Sequence, residues 1–384
     1  MAAANVPDRL HFLFATGHAF LPQRADGSER STDALCRALA ARGHQVTLYC
    51  RLRPDDALGR ALRARAKLLR SGDLVSDHLL GYRALRRKWG AAEDVAPVLA
   101  ACAPDLVVVD GTGRMPLVRS FLAAGLPTML LLRDVEFDEL GGAPPSDPRL
   151  VLLANSQFTS QRCREVFGLE AAVVPPIVEP DAYRCQPGSG GFVTFVNPVP
   201  RKGVDVACAL AEACPEIPFL FVEGWPQTAA ERAPWRRRAR AAGNVAWQRR
   251  VRDVRKIYKR TRILLAPSRW EEGWGRVVSE AQASGIPVLA SDRGALPGTV
   301  GPGGCCLDPD GPLERWSETL RGWWHDPARH RRVSRAALEH AGRREAQPDA
   351  IVAAFLHEVS RHLSRRRPVP PGHTGALPAW PEAP

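Results

Sequence analysis

Short apolar runs of strand length alternate with segments of helical period along this 384-residue chain, in two successive blocks. In the first block the strand candidates are Leu10–Ala15, Gln45–Cys50, Asp105–Asp110 and Thr128–Leu132. Between the first two lies a helical stretch with Leu35, Ala38 and Leu39 on one face, ended by Gly43, a residue that tolerates the left-handed turn closing a helix. Asn155–Pro180 breaks the rhythm and closes on the Pro-rich Val173–Pro180, where the linker is expected. The rhythm resumes with strands at Phe192–Val196, Phe219–Val222, Val245–Gln248, Ile263–Ala266 and Pro287–Ala290. Such alternation predicts an α/β protein with mostly parallel sheets covered by helices on both faces. The predicted division is a domain over 1–178, a second over 179–347, a helix over 348–364 and a disordered Pro-rich tail over 365–384. The cleft between the two domains, at the carboxyl ends of the strands, is the default ligand site.

Composition narrows the classes further. At 45% hydrophobic and 24% charged the chain is neither disordered nor fibrous, and its length exceeds what one core usually supports. The net charge of +12 is almost all arginine, the only lysines being Lys67, Lys88, Lys202, Lys256 and Lys259. Part of that excess reads as the codon habit of a GC-rich genome, and the rest as a hint of phosphate-bearing partners. Met1–Asp8 has no basic leader region and no apolar run reaches membrane-spanning length, so a cytoplasmic protein is expected. Nine cysteines with no C-x-x-C spacing imply a reduced protein without a metal site. Asp-x-Asp pairs at strand ends are not expected, and G-x-G-x-x-G is missing after the strands, which argues against a nicotinamide enzyme.

The chemistry concentrates in Ala266–Ser291. A strand ends at Pro267, and the loop Glu272-Gly273-Trp274-Gly275 opens a helix carrying Glu280. Glycines there permit close backbone approach, and the free N–H groups around Trp274, Arg276 and Val277 suit a diphosphate. A glutamate at the loop mouth can accept hydrogen bonds from sugar hydroxyls, and one inside the helix can hold the two hydroxyls of a ribose. The bare spacing of the two glutamates fits a solvated helix face equally well. A second candidate follows Phe195-Val196-Asn197-Pro198, where Arg201-Lys202-Gly203 starts a helix; a lysine beside glycine there is a natural phosphate clamp, or an exposed lysine on a capped helix.

Pro267, Ser268, Glu272, Gly273, Gly275, Glu280, Ala281, Gly285, Pro287, Val288 and Ser291 together resemble the signature of the retaining glycosyltransferases of family 4. The resemblance implies the GT-B architecture, two Rossmann-like domains facing across a cleft, with the last helix crossing back onto the first domain. It implies a hexosyltransferase-type enzyme that moves a sugar from a nucleotide diphosphate sugar to an acceptor, a small natural product or a glycan or lipid-linked one, without a metal or other cofactor. It assigns the donor sugar to Glu272, the ribose to Glu280 and the diphosphate to Lys202.

Around those residues the chain departs from the family. Asn197 stands where an arginine is frequent, so either Arg201 or a hydrogen bond from Asn197 supplies the second phosphate contact. Asp26-Gly27-Ser28-Glu29 replaces a Gly-Gly-x-Glu turn, with Gly27 expected to let the backbone approach the phosphate. A histidine common near a late strand end is replaced by Arg133, which stays protonated and cannot act as a base. His18 and Asp110 are the alternative bases, although front-face transfer can proceed with the departing phosphate oxygen taking the acceptor's proton. Rival functions are a nucleotide-sugar epimerase or hydrolase of the same architecture, and a non-catalytic basic binding protein that kept the fold.

Two basic clusters remain. Residues 51–90 carry Arg60, Arg63, Arg65, Lys67, Arg70, Arg83, Arg86 and Arg87, and in Ala57–Arg70 the leucines Leu58, Leu62 and Leu69 partition from the arginines. This reads as a solvated face, a cationic rim or an amphipathic helix for peripheral contact with an anionic membrane. Arg232–Arg262, interleaved with Trp235 and Trp247, reads as a solvent face or cleft rim rather than a nucleic-acid surface.

Overall fold

The computed structural model describes residues 9–68, 70, 72–111, 113–186 and 191–364. The segment 365–384, expected to be a tail, and Leu69 of the basic helix lie outside the described residues. Strands are β1 His11–Ala19, β2 Gln45–Arg51, β3 Leu74–Asp77, β4 Arg83–Arg87, β5 Leu106–Asp110, β6 Thr128–Leu132, β7 Leu150–Ala154 and β8 Ala171–Val173 in the first sheet. The second holds β9 Phe192–Val196, β10 Phe219–Val222, β11 Val245–Gln248, β12 Thr261–Ala266, β13 Val288–Ser291 and β14 Gly304–Leu307.

The first sheet runs β3-β4-β2-β1-β5-β6-β7-β8 and the second β11-β10-β9-β12-β13-β14. All the paired strands are parallel except β3 on β4. Fully buried runs such as LVVVD in β5 and TMLLL in β6 reflect helices on both faces of the sheet. The final helix, Pro348–Ser364, places Ile351, Val352, Phe355 and Val359 in the core of the first sheet, with Phe355 against Phe12 at 5.9 Å between ring centroids.

Two sequence readings need correction. Asn155–Pro180 does not break the rhythm: Ser156 caps the helix Gln157–Phe167 by accepting from the Thr159 N–H at 3.1 Å, and β8 follows. The helix escaped notice because QFTSQRCREVF is polar and buries only Thr159, Ser160 and Cys163. The basic cluster of 51–90 is not all surface either. Arg86 and Arg87 lie in β4, buried, where Asp77 meets Arg86 at 2.6 Å and Asp73 and Asp94 meet Arg87 at 2.9 and 2.8 Å. Acidic partners brought in by the neighbouring segments make a charged strand buriable. In the second cluster Trp235 and Trp247 pack against the second sheet's core, and Trp247 donates to Glu223 at 2.7 Å.

Candidate functional site

A cleft of about 620 Å³ opens between the two sheets and is lined from both domains. On the second domain's side it is built by loops after β9, β10 and β12, neighbouring strands whose carboxyl ends lie together. After β9 a short turn, Pro200–Lys202, leads to Gly203 at φ 78°, where a Cβ would sit 1.8 Å from the Pro267 carbonyl oxygen. The turn and the loop after β12 are thus in direct backbone contact, and the Arg269 and Trp270 N–H groups both donate to the Arg201 carbonyl. That contact brings Lys202 onto Glu272, with which it forms an ion pair.

The Glu272 backbone is itself fixed. Its carbonyl accepts from the Ala295 N–H at 2.7 Å, and Gly294, at φ 62°, leaves no room for a side chain beside it. Glu280 follows in the helix Arg276–Gln282, with one carboxylate oxygen accepting from Tyr258 at 2.9 Å and the other 3.4 Å from the Arg276 guanidinium. Burial, with the Glu280 charge adding to it, pushes the Tyr258 hydroxyl well above its ordinary pKa, so the phenol stays a donor to Glu280. Lys202, Glu272, Gly273, Trp274, Gly275, Arg276, Val277 and Glu280 all line the cleft, as do Gly27 and Asn197 from the other sequence candidates.

Several assignments change. Arg201 does not line the cleft: its guanidinium pairs with Glu136 of the first domain and lies over the Trp270 ring. Asn197, at φ 63°, uses its side-chain oxygen to accept from the Trp225 N–H at 2.7 Å. Gly27 opens the helix Gly27–Ala41, after the N-cap Asp26, whose N–H donates to Glu29 at 3.0 Å. A Cβ at Gly27 would lie 3.0 Å from Arg276 Cδ, so the glycine makes room for that arginine. Arg276 then reaches across to Ser31 at 2.7 Å, the Ile177 carbonyl at 2.9 Å and the Tyr183 hydroxyl at 2.9 Å.

The two candidate bases are not brought into the cleft. His18 and Asp110 border a separate void of about 10 Å³, room for a single water. His18 donates through Nδ1 to the Ala19 carbonyl, 2.8 Å away, and its Nε2 lies 3.7 Å from Glu29. Asp110 accepts from Thr32 and from Arg133 Nε, the latter at 2.9 Å. Burial pushes its carboxyl up, but Arg133, Thr32 and Arg114 outweigh burial and hold it below the usual range. A carboxylate so committed is a poor proton acceptor. The Asp-x-Asp expectation also fails: Asp308-Pro309-Asp310 directly follows β14, but Arg293 pairs with both carboxylates and Arg269 with Asp310. Among the described residues no group of three or more His, Cys, Asp or Glu is placed to hold a metal ion.

Sequence reasoning missed Trp225, Trp270, Tyr258 and the reach of Arg276. The two tryptophans were visible as aromatic residues just beyond strand ends, which is where a parallel sheet places its ligand loops.

Comparison with known proteins agrees on both halves. The family model described as Glycosyl transferases group 1 matches residues 194–340, and that described as Glycosyltransferase Family 4 matches residues 25–133. A D-inositol 3-phosphate glycosyltransferase of Segniliparus rotundus is 30% identical over 241 residues, 53% of this chain and 51% of the relative. One of the same name from Streptomyces avermitilis is 34% identical over 112 residues, 29% of this chain and 24% of that one. The first of these matches spans about half the relative's length, and the second less. Among solved structures, a glycosyltransferase from Rickettsia africae aligns with TM-score 0.73 at 14% identity, covering 93% of this chain and all of that one. HepE of Anabaena in complex with UDP aligns with TM-score 0.71 at 17% identity, covering 92% of this chain and all of that one. These likenesses show the fold: GT-B, two α/β domains with parallel sheets facing across a cleft.

Proposed function

We propose that this chain, whose two halves match the Glycosyl transferases group 1 and Glycosyltransferase Family 4 models, is a family 4 glycosyltransferase that moves a sugar from a nucleotide diphosphate sugar to an acceptor hydroxyl, with retention of configuration and without a metal or other cofactor. One observation carries the reading: Lys202, from the turn after β9, and Glu272 and Glu280, from the loop and helix after β12, line a single cleft at the carboxyl ends of a parallel sheet. The UDP and UDP-glucose complexes of HepE support a nucleotide-sugar donor. The inositol phosphate in the curated relatives' names makes a small polyhydroxylated acceptor a reasonable class to test first.

In this mechanism Glu280 holds the donor ribose, Glu272 orients the transferred sugar and Lys202 faces the diphosphate. The bond from the anomeric carbon to the phosphate oxygen breaks while the acceptor oxygen bonds to the same face. The acceptor's proton passes to the departing phosphate oxygen, so no protein base is required, in keeping with the commitments of Asp110. The enzyme's part is to position the two substrates and to stabilise charge on the leaving group. Lys202 shares its charge with Glu272 and exchanges part of that contact for phosphate when the donor binds.

A thermal-shift screen of nucleotide sugars, followed by a transfer assay on the donor that stabilises most, tests this. Lys202→Ala and Glu272→Ala should each lower transfer by about 10²-fold or more, the scale of a lost charge-stabilising group. Unchanged transfer in either variant overturns the reading.

We further propose a cytoplasmic protein with a peripheral membrane contact at its basic edge. Among the described residues no helix is long and apolar enough to cross a membrane. The helix Ala57–Leu68 leaves Leu68 83% exposed, and Arg63 lies over the exposed Trp89 ring. Sedimentation with anionic but not zwitterionic vesicles is the expected result, and failure to sediment with either removes the membrane contact.

A further inference from the structure

We propose that Trp225 and Trp270 are positioning residues that hold the Lys202 ammonium for the donor diphosphate, and that Asn197 serves the phosphate site by seating Trp225. The proposal rests on the reading of the cleft as a nucleotide-diphosphate-sugar site.

Lys202 Nζ lies 4.7 Å from the Trp225 ring centroid and 4.6 Å from that of Trp270. The two rings are 6.1 Å apart and inclined at 65°, so the ammonium sits in a wedge between two indoles. An indole face attracts a cation through its quadrupole but carries no formal negative charge. The wedge therefore holds the flexible lysine without neutralising it, whereas Glu272 on the remaining side competes directly with an incoming phosphate. When Lys202 turns from Glu272 to phosphate, the indole contacts can persist.

Both rings are placed by backbone that already belongs to the site. The Trp270 N–H donates to the Arg201 carbonyl at 3.1 Å, so the turn carrying the lysine also carries one wall of its wedge. The other wall depends on Asn197. Its side-chain oxygen accepts from the Trp225 N–H at 2.7 Å, and a Cβ on Gly224 would come within 2.1 Å of that oxygen. Gly224 thus lets the turn after β10 settle onto Asn197. With Arg201 drawn to Glu136, Lys202 is the cation of the Asn197–Gly203 segment that faces the cleft, and the wedge compensates by fixing its position.

The test is calorimetric titration of the full chain with UDP and UMP, GDP and GMP, and ADP and AMP. Diphosphate over monophosphate preference isolates the lysine's phosphate contact, while monophosphate affinity reports an intact nucleoside site. Wild type should prefer at least one diphosphate. Trp225→Leu and Trp270→Leu should each cut that preference by about threefold to thirtyfold, the range of a cation–π contact, with monophosphate affinity unchanged. Trp225→Phe and Trp270→Phe, which keep an aromatic face, should retain most of it. Asn197→Ala should act like Trp225→Leu and add nothing to it in the double variant.

A preference that survives both leucine variants overturns the proposal. So does a parallel fall in monophosphate and diphosphate affinity, which would mark a structural role only. An additive Asn197→Ala effect overturns the role given to Asn197. If wild type shows no diphosphate preference for any base and Lys202→Ala changes nothing, the donor reading has failed and this proposal falls with it.

Discussion

Replacing Arg133 with leucine should expose how the buried Asp110 carboxylate is paid for. Asp110 is only 6% exposed and relies on Arg133 Nε at 2.9 Å and on Thr32. Removing one partner of a buried ion pair typically costs about 3–5 kcal/mol, because the remaining charge stays desolvated. Thr32 still donates, and the Arg133 side chain is itself 12% exposed, so the lower end, about 3 kcal/mol, is expected. For a domain of this size that is a fall in Tm of about 6–12 °C.

The pH dependence has a definite sign. In wild type the folded-state pKa of Asp110 is depressed, so its stabilising contribution is present above the unfolded value of about 3.9 and is lost as pH falls through and below it. In Arg133→Leu the deficit should be largest near neutrality and shrink on acidification, as the unpaired carboxyl takes up a proton. Asp110→Asn in the Arg133→Leu background should recover at least half of the loss. Differential scanning calorimetry of wild type, Arg133→Leu, Asp110→Asn and the double variant between pH 4 and pH 8 makes the measurement. A single variant within about 1 °C of wild type, or no recovery in the double variant, refutes the reasoning. The same double variant should keep transfer within about tenfold of wild type, whereas loss of a general base would cost about 10²–10⁴-fold.

Other outcomes can be checked separately. Gly203→Ala should lose donor binding and about 2 kcal/mol or more by urea titration, since its Cβ would meet the Pro267 carbonyl; Gly43→Ala, at φ 87° but facing open space, should cost only about 1 kcal/mol. Arg276→Leu removes the bonds to Ser31, Ile177 and Tyr183, so small-angle scattering should show a larger radius of gyration and trypsin should cut faster at Arg184, just after the linker; an unchanged profile would mean other contacts hold the domains. Burial pushes the Cys50, Cys163 and Cys208 thiols up to about 11, so at pH 7 only about 10⁻⁴ of each is thiolate, and an aromatic disulfide reagent should label them only after denaturation.

Much of the second domain was legible because its signals are local. A strand ending at Pro267, a glycine-bracketed loop and a helix with Glu280 occupy consecutive residues, and Lys202-Gly203 follows a strand in the same way. The first domain was harder to read where burial depends on distant partners. The β4 segment RALRR looks like surface until Asp73, Asp77 and Asp94 are placed around it, and the helix Gln157–Phe167 looks like loop because it buries so little apolar surface.

The amino-acid order by itself therefore determined the alternation of strands and helices, the two-block division and the segment carrying Glu272 and Glu280, all consequences of periodicity and short-range turn chemistry. Only the tertiary structure decided which side chains share their charges. It joined Lys202 to Glu272 across 70 positions, enclosed that lysine between Trp225 and Trp270, committed Asp110 to Arg133 and sent Arg276 across the cleft. Sheet order sets which strand ends become neighbours, and electrostatic and aromatic contacts act over a few ångströms whatever the distance along the chain.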